Sequence, residues 1–158
     1  MSHHFGRSLL IGPLVICAAA LGPVAAAHAS DASLRATVKS DVPAITRSQA
    51  KITAGQAALK KTHSITKLIK AVKAQDTNLI RLRTRVQGES SSTPTGAKGK
   101  ADVVMGLELI VTSNRALNKF IEQESLGIKV SKARLNVSVR DDKRGNALFV
   151  AGAKLLGV

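Results

Sequence analysis

An all-α fold, an antiparallel bundle of four helices, is what this sequence predicts, on three observations. Apolar residues recur every three or four positions: Val42, Ile45, Ile52 and Leu59; then, after a slip of phase, Ile65, Leu68, Val72, Leu79, Leu82 and Val86; then Val103, Leu107, Ile110, Leu117 and Ile121. The apolar palette is Ala, Leu, Ile and Val, with no Trp or Tyr, which suits helix-on-helix packing. The only cysteine, Cys17, lies in an N-terminal export signal, so the domain that remains must hold itself by packing rather than by disulfides.

The signal reading rests on the first 29 residues. Residues 1–8 are polar with Arg7 as their cation, residues 9–27 are apolar, and Ala27-His28-Ala29 is a small-x-small cleavage box. Gly12-Pro13 and Gly22-Pro23 interrupt the apolar run, and no basic stop-transfer cluster follows at once, which argues against a membrane anchor. Ile16 stands before Cys17 where lipid attachment needs a small residue. Cleavage after Ala29 is expected. It leaves residues 30–158 as a single basic helical domain with no stable transmembrane span, secreted or held in the periplasm or cell envelope.

Residues 30–40 predict a lead-in helical turn through Leu34 and Val38. The first helix is expected over 41–61, with Ser40 or Asp41 as N-cap and Pro43 in its first turn, where a missing N–H costs little. Gln49, Gln56 and His63 interleave with Ile45, Ile52 and Leu59 and are placed at the boundary of the core. Ala50, Ala54, Ala57 and Ala58 lie opposite and offer a close-packing surface. Near His63 the apolar phase slips, which predicts a break with Ser64 as N-cap. Unbroken, residues 41–86 would form a helix about 70 Å long, which no later segment matches; that continuous helix defines the alternative, a three-helix bundle.

The second helix is expected over 64–87, with Asp76 and Arg83 inside its apolar arc as part of a structural polar layer, paired with each other through a neighbour or with groups on another helix. Residues 88–100 (GESSSTPTGAKGK) predict a flexible Gly/Ser loop. The third helix follows over 101–126, nearly apolar all round at its start and with Asn114 in mid-stripe. The fourth, over 129–156, puts Val130, Ala133, Val137, Leu148, Ala151 and Leu155 on one face. A hairpin turning at 141–146 is its competitor, and it would leave sheet edges to protect.

Chemistry is limited by what is missing. His3, His4 and His28 leave with the signal, so His63 is the one histidine of the exported chain. No Cys or His set exists for zinc, copper or iron, and no Glu-x-x-His pair exists for a carboxylate-bridged site. No Gly-x-Ser-x-Gly elbow is present, and Glu122 and Glu124 point apart as neighbours on a helix end. An enzyme is not expected, and no cofactor is called for.

Charge is the remaining lead. The formal net charge is +14 at pH 7. Residues 41–86 carry ten Lys or Arg against Asp41 and Asp76, residues 87–128 are close to neutral, and residues 129–158 are basic again. Lys60, Lys67, Lys70, Lys73, Arg81, Arg85, Lys132 and Arg140 are the expected contacts for an anionic polymer of the envelope or extracellular space, bound through counterion release. Sequence-specific nucleic-acid reading is not expected, because no aromatic residue is placed to stack bases. The alternative is a structural or oligomerising bundle that binds a protein partner through the alanine face, with the charge serving solubility.

Overall fold

In the computed structural model, which describes residues 29–62 and 65–158, four helices follow one another: α1 (Ala29–Thr62), α2 (Thr66–Gly88), α3 (Pro94–Ser125) and α4 (Lys132–Leu155). The described residues contain no strand, so the last region is a helix, over Lys132–Leu155 rather than 129–156, and not a hairpin. Residues 1–28 of the signal segment, His63 and the proposed N-cap Ser64 lie outside the described residues, and the expected cleavage point after Ala29 falls at the first residue of α1. α2 opens on Ile65, with no side-chain cap.

α1 starts twelve residues earlier than expected and runs 34 residues, about 50 Å. Asp31, Leu34, Val38, Asp41, Ile45, Ser48, Ile52 and Gly55 form a buried stripe, with Thr37 buried beside it, that alternates three and four apart through the expected lead-in turn. Asp41 is therefore a core position and not an N-cap. Pro43 lies inside the helix; it and Lys39, whose carbonyl loses its partner there, are both exposed, so water can satisfy that carbonyl. Gln49 and Gln56 are half-buried. The inner stripe is completed by the smaller Ser48 and Gly55. A β-carbon added at Gly55 would lie 2.9 Å from the Leu68 α-carbon, so α1 and α2 touch there backbone to backbone.

The expected loop over 88–100 is mostly helix, because α3 begins at Pro94. Thr93 caps it: its hydroxyl oxygen accepts from the Gly96 amide at 2.9 Å, and Pro94 takes the first helical position. The glycines that suggested a loop serve contact instead, Gly96 against the Asp31 carboxylate and Gly99 against Leu156. Thr93→Ala is expected to cost about 1 kcal/mol of stability. Thr93→Ser should retain most of it. Chemical denaturation followed by helical circular dichroism measures both.

α3 and α4 meet through residues seven apart. A β-carbon at Gly106 would lie 2.6 Å from the Gly145 carbonyl oxygen, and one at Gly152 would lie 2.6 Å from the Gly99 carbonyl oxygen. One repeat further, the Ser113 hydroxyl donates to the Ser138 carbonyl. Gly99, Gly106 and Ser113 thus face Gly152, Gly145 and Ser138, residue numbers rising along α3 as they fall along α4. The buried face of α4 is Ser138, Asp142, Gly145, Phe149, Gly152 and Ala153. This corrects the expected face: Ala133, Val137, Ala151 and Leu155 are exposed, and Leu148 and Val130 half-buried. Large apolar residues were the wrong marker for a helix held this close.

The main core joins Leu34, Val38 and Ile45 of α1, Leu79, Leu82 and Val86 of α2, Val103 and Leu107 of α3, and Phe149 and Leu156 at the end of the chain. A second cluster, Ile52, Leu68, Ala71, Val72 and Ile121, draws on α1, α2 and α3 only. α4 therefore closes the core at one end of the molecule and not at the other.

Candidate functional site: a basic end opposite a stitched end

The two ends of the helix stack differ in how their charges are used. The end holding the start of α1, the α2–α3 connection and the chain's last residues is stitched by polar contacts. Asp31 accepts from the Ser92 amide at 2.8 Å and from the Thr93 hydroxyl, and these bonds, the Thr93 one foremost, hold its carboxyl below the usual range. Glu89 accepts from Thr37 at 2.6 Å and from Ser33 at 2.8 Å, and its carboxyl is lowered for the same reason. The Lys100 ammonium donates to the Gln87 and Glu89 carbonyls, and Arg35 donates to the Leu156 carbonyl at 2.6 Å. Arg85 pairs with the buried Asp41 at 2.9 Å, and Lys98 pairs with Asp102 at 2.6 Å.

The other end holds the α1–α2 and α3–α4 turns. They are neighbours because Leu68 and Ile121 share a core cluster there. Lys60, Lys61, Lys67 and Lys70 surround the first turn, and Lys129, Lys132 and Arg134 surround the second; all are exposed. None forms a salt bridge within the described residues. No acid occurs from Leu126 to Val139.

The eight expected contact residues therefore divide. Lys60, Lys67, Lys70 and Lys132 come together at the basic end. Lys73 lies one turn in and reaches Glu122 at 3.7 Å; Arg140 lies along α4 beside Asp141, at 3.7 Å. Arg81 and Arg85 do not join them. They stand about 21 and 27 Å from Lys67 along α2, Arg81 beside Asn78 and Arg85 on Asp41 and Ser40. Lys61, Lys129 and Arg134 were not singled out from the sequence, although their position in or beside the two turns was a signal for them.

A polar layer crosses the bundle just inside this end. Gln75 donates to Gln49 at 2.8 Å, and Asn114 donates to Asp76 at 2.9 Å and to Gln75 at 3.3 Å. Of the two expected arrangements Asp76 thus takes the one with a partner on another helix, α3, and not Arg83, whose Nε is buried with no partner among the described residues. Burial pushes the Asp76 carboxyl up to about 6, against the opposing effects of the Asn114 bond and the Arg115 charge. Asp76 borders an open cleft of about 520 Å³ whose rim includes Lys73, Arg115, Lys119 and Glu122. The rim is suited to anions. It presents no nucleophile paired with a base, since the Thr77 hydroxyl donates back to the Lys73 carbonyl at 3.1 Å.

Among the described residues no group of His, Cys, Asp and Glu could hold a metal ion, and no helix is long and apolar enough to cross a membrane. Comparison with protein families, curated proteins and solved structures found no match to this chain.

Proposed function

We propose that this is an exported, non-enzymatic protein, an antiparallel four-helix bundle that binds an anionic polymer of the cell envelope or extracellular space through its basic end. The observation that supports this reading most directly is the division of labour among the cations. Those of the stitched end hold the fold through carboxylates and carbonyls. Those around the two turns stand exposed and, among the described residues, outside any ion pair, and their mutual repulsion is relieved by a polyanion that releases its counterions on binding.

Binding of residues 30–158, the chain expected after cleavage, to polyphosphate and to double-stranded DNA across a salt series tests it. The expected result is binding at low salt that weakens steeply between about 50 and 200 mM. The triple change Lys60→Glu, Lys67→Glu and Lys70→Glu should lower affinity at least about tenfold and flatten the salt slope. The same reversal at Arg47, Arg81 and Lys154, all exposed, should change it far less. Absence of binding at low salt would sink the proposal. It would favour the second reading, a bundle that binds a protein partner, which is supported by Ala50, Ala54 and Ala57 standing exposed on α1. An apolar interface of that kind should persist as salt rises.

A further inference from the structure

We infer that the anionic surface met by the basic end is a lipid bilayer, with Leu126 and Ile128 entering the headgroup region while the surrounding lysines hold lipid phosphates. The inference rests on the reading of the basic end as an anion-binding surface, puts a bilayer in place of a polymer as its ligand, and adds an apolar element. Among the described residues, five large apolar side chains stand exposed, and three of them lie within one stretch of the basic end: Leu126 at 76%, Ile128 at 50% and Val137 at 46%. Leu126 and Ile128 flank Gly127, whose φ of +74° closes the α3 terminus. The Gly127 amide donates to the Glu124 carbonyl and the Ile128 amide to the Gln123 carbonyl, both at 3.0 Å. In this kind of helix ending the residue after the glycine commonly packs back on the helix it terminates. Here Ile128 remains half-exposed, and Leu126, one residue before the glycine, is the most exposed large apolar side chain described.

Charge complementarity selects the occupant. Lys129, Lys132 and Arg134 follow the two apolar residues with no acid among them, and Lys60, Lys61, Lys67 and Lys70 stand at the same end. A soluble polyanion would use the cations and leave the apolar side chains in water. An anionic bilayer uses both: phosphates meet the lysines within a screening length of the surface, and apolar side chains are buried at the boundary with the acyl chains. No helix of the described residues is long and apolar enough to span, so the attachment is peripheral.

Vesicle sedimentation with residues 30–158 tests this, using phosphatidylcholine vesicles with and without about a third phosphatidylglycerol, beside polyphosphate as a polyanion with no apolar interior. Circular dichroism first confirms that each variant is helical; both substituted residues are exposed, so the fold should persist. Leu126→Ser with Ile128→Ser should weaken binding to the anionic vesicles about tenfold and leave polyphosphate binding unchanged. The parent should keep part of its vesicle binding at salt that abolishes polyphosphate binding. Met105→Ser with Leu155→Ser, exposed apolar residues elsewhere, should change neither. Unchanged vesicle affinity in the Leu126/Ile128 variant, with polyphosphate still bound, overturns the bilayer inference and leaves a soluble polyanion as the ligand. Failure to bind either probe at low salt overturns the basic-end reading itself, and this inference with it.

Discussion

Gly106→Ala should destabilise the protein by about 1–3 kcal/mol, although alanine is worth up to about 1 kcal/mol more than glycine in a helix. The added β-carbon meets backbone on α4, the Gly145 carbonyl oxygen and the Phe149 amide nitrogen, both at 2.6 Å. Backbone cannot rotate aside, so α3 and α4 must separate, and the contacts of the fully buried Phe149 loosen with them. Gly145→Ala and Gly152→Ala should behave alike, their β-carbons falling 2.8 and 2.6 Å from carbonyl oxygens of α3. Gly88→Ala is the control of opposite sign. It sits in the last turn of α2 with nothing within 4 Å of the added carbon, so helix propensity alone should raise stability by a few tenths to about 1 kcal/mol. Urea midpoints followed by circular dichroism decide it. A Gly106→Ala variant as stable as Gly88→Ala would mean that the α3–α4 contact is looser than described.

The same glycines explain which parts of the fold were legible in the sequence. α3 was readable because its core side chains are large: Val103, Leu107, Ile110, Leu117 and Ile121 are buried at the positions their spacing predicts, and Asn114 within that stripe bonds to two residues of α2. α4 was readable as a helix but not in its orientation. A search for apolar periodicity weighs Leu and Val over Gly and Ser, and a closely packed pair inverts that weighting. The information was present as two seven-residue repeats, Gly99, Gly106, Ser113 and Ser138, Gly145, Gly152. The loop assigned to residues 88–100 failed for a related reason, since Gly96 and Gly99 are contact residues. The basic end was only partly legible. Sequence shows that Arg85 and Lys67 are both cations on α2. It does not show that Asp41, 44 residues away, accepts from one of them, whereas the other stays at the surface.

The second large effect is one of pH. Asp76 and Asp142 are both buried, and in each case burial raises the carboxyl from 3.8 to about 6. Asp142 forms no ion pair among the described residues, and the Asn146 amide beside it offsets only part of that cost. A carboxyl whose folded value is raised favours the folded state fully below its unfolded value of 3.8, and the benefit is lost as pH rises through about 6. By pH 7 each ionised carboxylate costs on the order of 1–3 kcal/mol relative to a neutral side chain of the same shape. Asp142→Asn and Asp76→Asn should therefore stabilise the protein at pH 7, and the oxygen of the new amide at position 76 can still accept from Asn114. Both gains should shrink toward zero near pH 4. Asp31 and Glu89 act with the opposite sign: their lowered carboxyls support the fold above the ordinary carboxylate range, and that support is lost as acid protonates them. The parent should be most stable in mildly acidic solution, between those two limits, and the double Asn variant should move the maximum toward neutrality. Denaturant midpoints at intervals from pH 4 to pH 8 measure the effect. A stabilisation by Asp142→Asn that is as large at pH 4 as at pH 7 would assign it to packing rather than to the buried charge.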